Sequence, residues 1–270
     1  MRTLILATSG LMTLAAPAAY AQEFNGPYFG GSIGYGISKG GDDERIRFDR
    51  GFDGSEDVIT TTAGTDAFSP GFCGGSATSS ANSDCEKDDG GIEFHLRAGY
   101  DVQFGNFVVG VVGEFGRSTV QDSVSSFSTT PASYTMTRTI DLEGSVRARL
   151  GYVLGEKTLA YVTGGPAYAK IDNRFSTSNT ANAFSDNGKS ESWGFTAGGG
   201  LERSIAEGVS IGVEYLYSRY KDDDYRVRVT RGAANAINPF ILFGAPGTEF
   251  QREEERFDFH AVRATVAFRF

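Results

Sequence analysis

The sequence is dominated by short segments in which hydrophobic and polar residues alternate with a period of two. That period places successive side chains on opposite faces of the chain, which is typical of a β-strand with one apolar face. In the last such segment, Val262, Val266 and Phe268 lie on one face, and Arg263 and Arg269 lie on the other. We predict eight strands, at 27–37, 91–104, 107–119, 138–153, 158–171, 190–203, 209–220 and 260–270.

Two of these segments are less regular than the others. Within 138–153 the alternation predicts Ile140 on the apolar face and Asp141 on the polar face. The segment 158–171 is strand-like, but Gly164-Gly165-Pro166 interrupts it, and its two faces are therefore left unassigned.

The connections between the predicted strands alternate between short and long. Each short connection contains a glycine, which supplies the positive φ of a hairpin turn. The short turns lie at 104–107, 154–157 and 205–208. The long polar connections lie at 38–90, 120–137, 172–189 and 221–256. Outer-membrane barrels have this arrangement, whereas a soluble β-sandwich has no reason to keep all its long loops at one end.

A sheet that spans a membrane must also close, because an open edge would leave backbone groups unsatisfied in hydrocarbon. We therefore predict an all-β fold, a closed antiparallel transmembrane β-barrel of eight strands with short periplasmic turns and long extracellular loops. A hairpin within 45–62 would raise the number to ten. We favour eight, because Arg45, Arg47 and Asp49 leave that hairpin too little apolar face.

The N-terminus has the three parts of a secretory signal peptide. Arg2 provides the basic region, an apolar run follows from Leu4 to Ala16, and Ala19-Tyr20-Ala21 forms the cleavage motif. We expect cleavage between Ala21 and Gln22, so that residues 1–21 are the signal peptide and 22–270 the barrel domain.

Composition supports a barrel and excludes several other classes. Beyond residue 21 no apolar run reaches the ~18 residues of a membrane helix, and the mean hydropathy is −0.25. The chain contains 36 Gly, 21 Phe and 12 Tyr, which suits strands that are apolar on one face only. A net charge of −9 excludes the basic surface of a nucleic-acid-binding protein.

The two cysteines, Cys73 and Cys85, lie in one Gly/Ser/Asn-rich segment of the first long connection. In an oxidising compartment they are expected to pair. In the chain-entropy model, a disulfide that closes so short a loop stabilises the protein by roughly 3 kcal/mol. A metal site would need more ligands, and no histidine is nearby in the sequence.

The polar faces of the predicted strands carry twelve charged side chains that would point into the barrel. They are Glu93, Arg97, Asp101, Glu114, Asp141, Glu143, Arg147, Arg149, Glu202, Glu214, Arg263 and Arg269. Eight strands enclose a lumen just wide enough for side chains to fill, and buried charges must be paired to be tolerated. We therefore predict an interior ion-pair network that closes any wide aqueous path.

Several motifs along the chain resemble the small porin-like outer-membrane barrels and surface antigens of alphaproteobacteria, which group with the OmpA-type transmembrane domain and the opacity proteins. The motifs are 26–31 (GPYFGG), 105–114 (GNFVVGVVGE), 148–152 (ARLGY), 201–205 (LERSI), 213–217 (VEYLY) and 268–270 (FRF). The resemblance implies an integral outer-membrane barrel with a structural, surface-antigen or adhesive role, and haem binding is attributed to some members. It also implies that Phe268 and Phe270 form the signal that the barrel assembly machinery recognises.

The sequence favours a non-enzymatic role. Only His95 and His260 could serve in a catalytic triad, and no serine has matching spacing. No cofactor or metal is predicted. Haem ligation by Tyr134 or Met136 in an external connection is a less favoured hypothesis, and a narrow porin is the main alternative.

The external connections are the candidate contact surfaces. The apolar run 237–243 could form an adhesive tip, but we favour its packing against the other loops as a small core. The expected partners are outer-membrane lipid and lipopolysaccharide, the assembly machinery, and a host or matrix ligand bound by the loops.

Overall fold

The fold is an antiparallel all-β structure. A computed structural model describes residues 23–38, 44–74 and 85–270; the predicted cleavage site at Ala21–Gln22 lies outside the described residues. The strands are β1 (Gly26–Ser38), β2 (Ile46–Arg50), β3 (Gly71–Gly74), β4 (Gly91–Phe104), β5 (Phe107–Ser118), β6 (Gln121–Ser128), β7 (Ala132–Leu154), β8 (Thr158–Thr177), β9 (Ala183–Asp186), β10 (Lys189–Ala206), β11 (Val209–Lys221), β12 (Val227–Thr230), β13 (Thr248–Arg252) and β14 (Arg256–Arg269). A 3-10 helix spans Pro239–Gly244.

The eight long strands correspond to the eight that the sequence predicts. Neighbours in the order β1, β4, β5, β7, β8, β10, β11, β14 pair antiparallel, and β14 in turn pairs with β1. The prediction of an all-β antiparallel fold is confirmed.

The three predicted tight turns lie at one end of this sheet. They connect β4 to β5, β7 to β8 and β10 to β11. Gly105, Gly155 and Gly208 have φ of 59°, 66° and 68° in these turns, a region that residues with a Cβ rarely adopt. The long connections lie at the opposite end.

Side chains alternate between buried and exposed along each long strand, as in the burial pattern of β4. The exposed face is apolar and aromatic: Phe29, Leu96, Phe115, Leu150 and Trp193 are between 53 and 75 % exposed. Such a surface suits lipid and not water. Among the described residues, no helix has the length and apolar character needed to cross a bilayer.

The faces predicted for Ile140 and Asp141 on β7 are wrong. The register between β7 and β8 shifts between Ile140 and Leu142, which places Ile140 in the interior at 1 % exposure. Asp141 lies on the outside with its side chain 36 % exposed, 3.9 Å from Arg117. A bulge reverses the alternation at this point, and period-two counting cannot detect it.

The predicted interruption of the fifth long strand is also wrong, because β8 runs unbroken through Gly164, Gly165 and Pro166. A Cβ at Gly165 would overlap the carbonyl oxygen of Val146 on β7. Glycine therefore allows the two strands to approach closely here.

A second, four-stranded sheet is built above the long-connection end, in the order β2–β13–β12–β9. Its strands come from three of the connections predicted as loops. The segment at 46–50 pairs with 248–252 rather than forming a hairpin within 45–62. We call this four-stranded sheet, with β3, β6 and the upper part of β7, the external sheet.

The external sheet has its own hydrophobic core. Phe250 is fully buried, and its ring lies 4.8 Å from that of Phe48 and 5.3 Å from that of Phe240. The apolar run 237–243 contributes Phe240, Ile241 and Leu242 to the buried side chains. The preferred packing of this run is thus observed, although Ile237 and Phe243 remain exposed.

Candidate functional site: a buried ion-pair network

The interior of the long-strand sheet contains three clusters of charged side chains. The lower cluster, nearest the tight turns, consists of Asp101, Arg149, Glu202 and Arg269. Arg149 donates to Asp101 at 2.8 Å and also to Glu202. Arg269 lies 3.1 Å from Asp101 and 3.3 Å from Glu202. Two guanidinium groups therefore share two carboxylates, and the Arg149 guanidinium also stacks 4.0 Å from the ring of Tyr161.

The middle cluster repeats this two-by-two arrangement with Arg97, Glu114, Arg147 and Glu214. Arg147 Nη2 lies 2.5 Å from Glu114 and 3.3 Å from Glu214. Arg97 lies 3.5 Å from Glu114 and 3.6 Å from Glu214. Tyr161 donates its hydroxyl to Glu214 at 3.0 Å, which supplies a further hydrogen bond to that carboxylate.

The upper cluster consists of Glu93, His95, Glu143 and Arg263. The Arg263 guanidinium donates to Glu93 at 2.8 Å, to Glu143 at 3.1 Å and to Glu114 of the middle cluster at 3.2 Å. His95 Nε2 lies 2.7 Å from Glu143. Arg263 therefore joins the two clusters into one network.

Of the twelve charges predicted for the interior, the structure brings eleven together, and Asp141 lies outside as described above. None of the eleven side chains is more than 7 % exposed. Five arginines face six carboxylates, and His95 is the remaining basic group. The near balance of charge explains how so many ionised groups can be buried together.

Glu93, His95 and Glu143 present ligand-type atoms that all lie within 4.8 Å of one another. Such a set could in principle hold a metal ion. However, Arg263 donates to both carboxylates, and Tyr220 donates to Glu143 at 2.9 Å. A cation of the protein itself thus already occupies the position that a metal ion would take.

A fourth cluster, the rim cluster, lies between the long-strand sheet and the external sheet. Asp122 accepts a hydrogen bond from Arg138 at 2.8 Å and another from Arg252 at 2.7 Å. Arg252 also donates to Glu44, and Arg138 lies 3.9 Å from Asp222. All five side chains are at most 6 % exposed.

The rim cluster was not predicted from the sequence, because its members lie in or beside segments predicted as loops. One signal was available: Asp122 and Arg138 are direct cross-strand partners in the β6–β7 hairpin. A hairpin centred on 129–131 would have paired these opposite charges.

Burial governs the protonation of the rim cluster. Burial, with a contribution from the neighbouring Asp122, raises the pKa of Glu44 to about 7 against the opposing charge of Arg252. Burial and the neighbouring Asp122 likewise raise the pKa of Asp88 to about 6. Burial also acts to raise the pKa of Asp122, but Arg138 and Arg252 outweigh it and the pKa is lowered.

Comparison with known proteins identifies the family. A family model described as the outer membrane protein beta-barrel domain matches residues 5–270. The chain belongs to the outer membrane protein β-barrel family. Its location is therefore the cell outer membrane.

Relatives of this chain include outer-membrane immunogenic proteins. The chain is 27 % identical over 226 residues to the 31 kDa outer-membrane immunogenic protein of Brucella melitensis, covering 79 % of this chain and 85 % of that protein. It is 31 % identical over 128 residues to the 25 kDa outer-membrane immunogenic protein of Brucella abortus, covering 47 % and 52 %.

Among solved structures, the barrel resembles the outer membrane protein OprG from Pseudomonas aeruginosa. The TM-score is 0.50 and the identity 11 %, over 92 % of this chain and 98 % of that one. At this level of identity the likeness concerns the fold alone.

Other predicted residues of this outer-membrane barrel also have clear positions. Cys73 and Cys85 form a disulfide with a Cα–Cα distance of 6.2 Å, which confirms the predicted pairing. The rings of Phe268 and Phe270 stack on Phe29 at 5.4 and 5.5 Å on the outer surface.

The positions of the residues considered for catalysis and haem binding do not favour either role. His95 faces the carboxylate of Glu143, and His260 Nδ1 lies 2.6 Å from the Tyr215 hydroxyl. Neither histidine has a hydrogen bond to a serine, threonine or cysteine among the described residues. Tyr134 and Met136 are buried in the core of the external sheet, at 2 % and 0 % exposure.

Proposed function

We propose that the chain is a closed, eight-stranded transmembrane barrel that is sealed to ions and holds a folded sheet outside the outer membrane for surface contacts. The return of the pairing from β14 to β1 supports closure, because every long strand then has two neighbours. On this proposal the tight turns face the periplasm, and the external sheet faces the medium.

The external sheet is the observation that carries the proposal. A barrel that served only as a membrane plug would have no need of a second folded layer. Here the strands β2, β9, β12 and β13 pair with one another and cover a core containing Phe48, Tyr134 and Phe250. This order gives a persistent surface, which suits recognition, and the relatives named as immunogenic proteins agree with surface presentation.

The interior network supports a sealed barrel rather than a narrow porin. An ion path would require several buried guanidinium–carboxylate contacts to separate. Removing one partner of such a pair typically costs about 3–5 kcal/mol. With eleven interior charges at most 7 % exposed, the closed arrangement is strongly favoured.

The proposal also assigns a non-enzymatic role that supports envelope integrity. Lipid and lipopolysaccharide would contact the exposed apolar belt, and the assembly machinery would recognise Phe268 and Phe270. A haem receptor is less well supported, because Tyr134 and Met136 are enclosed in the external core.

Cysteine labelling on whole cells tests the proposed orientation and display. Ala236→Cys places a thiol in an exposed loop of the external sheet, and Glu156→Cys places the matched thiol in the exposed β7–β8 turn. We expect a membrane-impermeant maleimide to label the first variant on intact cells and the second only after permeabilisation. The opposite pattern, or equal labelling of both on intact cells, would overturn the proposal.

A further inference from the structure

The external sheet contains a cavity with a volume of about 230 Å³. Four separate connections form it: the β2–β3 connection at 67–68, the β6–β7 hairpin tip at 129–131, the β8–β9 connection at 178–181, and the start of the 3-10 helix at Pro239. A site built from these four connections, at the end of the sheet opposite the tight turns, is well placed to meet a ligand from the medium.

Each described residue that lines the cavity is neutral. Hydroxyl groups of Thr129, Thr130, Ser178 and Thr180 lie around it. The exposed hydroxyls of Thr129, Thr130 and Thr180 make no hydrogen bond within the described residues. They are therefore available, as both donors and acceptors, to a ligand.

Aromatic rings lie beneath these hydroxyls. Phe68, Tyr134 and Phe240 line the cavity and are each at most 3 % exposed, so their positions are fixed by the external core. The rings of Phe68 and Tyr134 are 5.5 Å apart, and those of Tyr134 and Phe240 are 5.7 Å apart. These buried rings therefore give the cavity a rigid support, above which the hydroxyl groups are placed.

A set of asparagines holds the walls in place. Asn179 donates to the Tyr134 hydroxyl at 2.9 Å and to Asn182 at 3.0 Å. Asn238 donates to Asn182 at 3.1 Å, and Asn182 donates to the backbone carbonyl of Thr230 at 3.2 Å. These hydrogen bonds engage the side-chain amides and hold the β8–β9 connection against Tyr134, Asn238 and Thr230. The threonine hydroxyls remain available for binding, and the fixed geometry reduces the ordering that binding requires.

We infer that this cavity binds a single uncharged sugar ring. A sugar offers several hydroxyl groups for the threonines and an apolar C–H face for Pro131, Ala132 and Pro239, apolar lining residues that are at least partly exposed. The absence of charged lining residues disfavours phosphorylated or acidic ligands, which would lose water without gaining a counter-charge. The volume is below the roughly 300–1,000 Å³ of sites for drug-sized molecules, so one ring fits better than an extended ligand.

This inference deepens the proposed surface role and rests on it, because the sugar must reach the external sheet from outside. The sugar could belong to the polysaccharide of the bacterium's own envelope or to the glycans of a host. Both present the same chemistry to the cavity.

The test measures binding to the refolded full barrel domain in detergent, by saturation-transfer NMR and calorimetry. The probes are methyl glycosides of glucose, galactose, mannose and N-acetylglucosamine, with glucuronic acid as the charged comparison. We expect at least one neutral glycoside to bind and glucuronic acid not to bind. The triple variant Thr129→Ala/Thr130→Ala/Thr180→Ala should weaken binding at least tenfold, because each lost hydrogen bond typically accounts for about a fivefold change.

Thr62→Ala is the matched control, since Thr62 is exposed but does not line the cavity; it should leave binding unchanged. Failure of every neutral glycoside to bind, equal binding of glucuronic acid, or unchanged binding by the triple variant would overturn the inference. Purified envelope polysaccharide and host-type glycans, tested in parallel, identify the source. Because the assay uses isolated protein, a negative result leaves the labelling test of surface display unaffected.

Discussion

Replacing Arg263 with methionine should destabilise the barrel more than almost any other single substitution of a charge. Arg263 donates to Glu93, Glu114 and Glu143 at 2.8, 3.2 and 3.1 Å, and its side chain is 3 % exposed. Methionine has a similar length but cannot neutralise these carboxylates. Loss of one partner from a buried ion pair costs about 3–5 kcal/mol, and we expect Arg263→Met to lower the free energy of unfolding by that amount.

Trp193 provides the signal for this measurement, and Arg228 provides the control. The chain has one tryptophan, and Trp193 is 70 % exposed on the apolar outer face, so its fluorescence reports insertion into lipid. Urea-induced unfolding from phospholipid vesicles can therefore be followed by this signal. Arg228→Met is the matched control, because Arg228 pairs with Glu249 at 2.9 Å in an exposed position and should contribute less than about 1 kcal/mol.

A double variant makes the prediction sharper. Glu93 has its only side-chain hydrogen bond from Arg263 among the described residues, whereas Glu143 and Glu114 keep other partners. Glu93→Gln should therefore restore part of the stability lost in Arg263→Met, so that the two changes are not additive. Two results would contradict this prediction. One is a free energy of unfolding for Arg263→Met equal to that of Arg228→Met; the other is a fully additive effect of Glu93→Gln in the double variant.

Three further predictions concern the external sheet. The native state keeps a proton on Glu44 up to about pH 7, whereas the unfolded chain loses it near its ordinary pKa of 4.5. The titration of Glu44 should therefore lower the free energy of unfolding of the external sheet by about 3 kcal/mol between pH 4.5 and 7. Samples are equilibrated in urea at each pH, and the protease pulse that reads the folded fraction is given in a buffer of one common pH. A flat profile would contradict this prediction. Glu44→Gln should remove the share of this slope that Glu44 contributes and leave the smaller share of Asp88, whose pKa burial also raises. Cys73→Ala/Cys85→Ala should lower the free energy of unfolding by roughly 3 kcal/mol in the same assay. Resistance to urea equal to that of the wild type would contradict the chain-entropy estimate. Phe250→Ala should cost about 3–5 kcal/mol and expose the external sheet to protease while the barrel keeps its unboiled gel mobility; loss of that mobility would show that the two sheets unfold together.

The long strands could be predicted from the sequence because their two faces differ in environment. Lipid contact demands an apolar residue at every second position, as in Val262 and Val266, and the interior admits Arg263 between them. The pattern fails where local geometry changes it. The bulge beside Ile140 reverses the faces without altering composition, and close strand approach at Gly165 makes glycine a strand residue rather than an interruption.

The external sheet could not be predicted for a different reason. Four of its strands, β2, β9, β12 and β13, contain only four or five residues, too few for periodicity to stand out, and they pair across large sequence separations. Phe48 lies opposite Phe250, for example. Such pairings depend on the barrel first bringing the connections together.

The interior ion-pair network could be predicted only in part from the sequence. Strand faces identified eleven of its charged residues, but they did not determine which arginine meets which carboxylate. That pairing depends on the stagger between strands, which places Arg263 of β14 against Glu143 of β7, 120 residues away. His95 is a basic group of the same network that the count of interior charges had left out.

Single-channel conductance in a planar bilayer tests the sealed barrel most directly. The mature chain is refolded in detergent, and the shift in gel mobility between unboiled and boiled samples confirms folding before each recording. For a sealed barrel we expect a folded protein that inserts into the bilayer but shows no discrete current steps. Reproducible steps from wild-type protein, altered in size by Arg147→Ser or Glu214→Gln, would contradict it and would make the interior charges the lining of a pore.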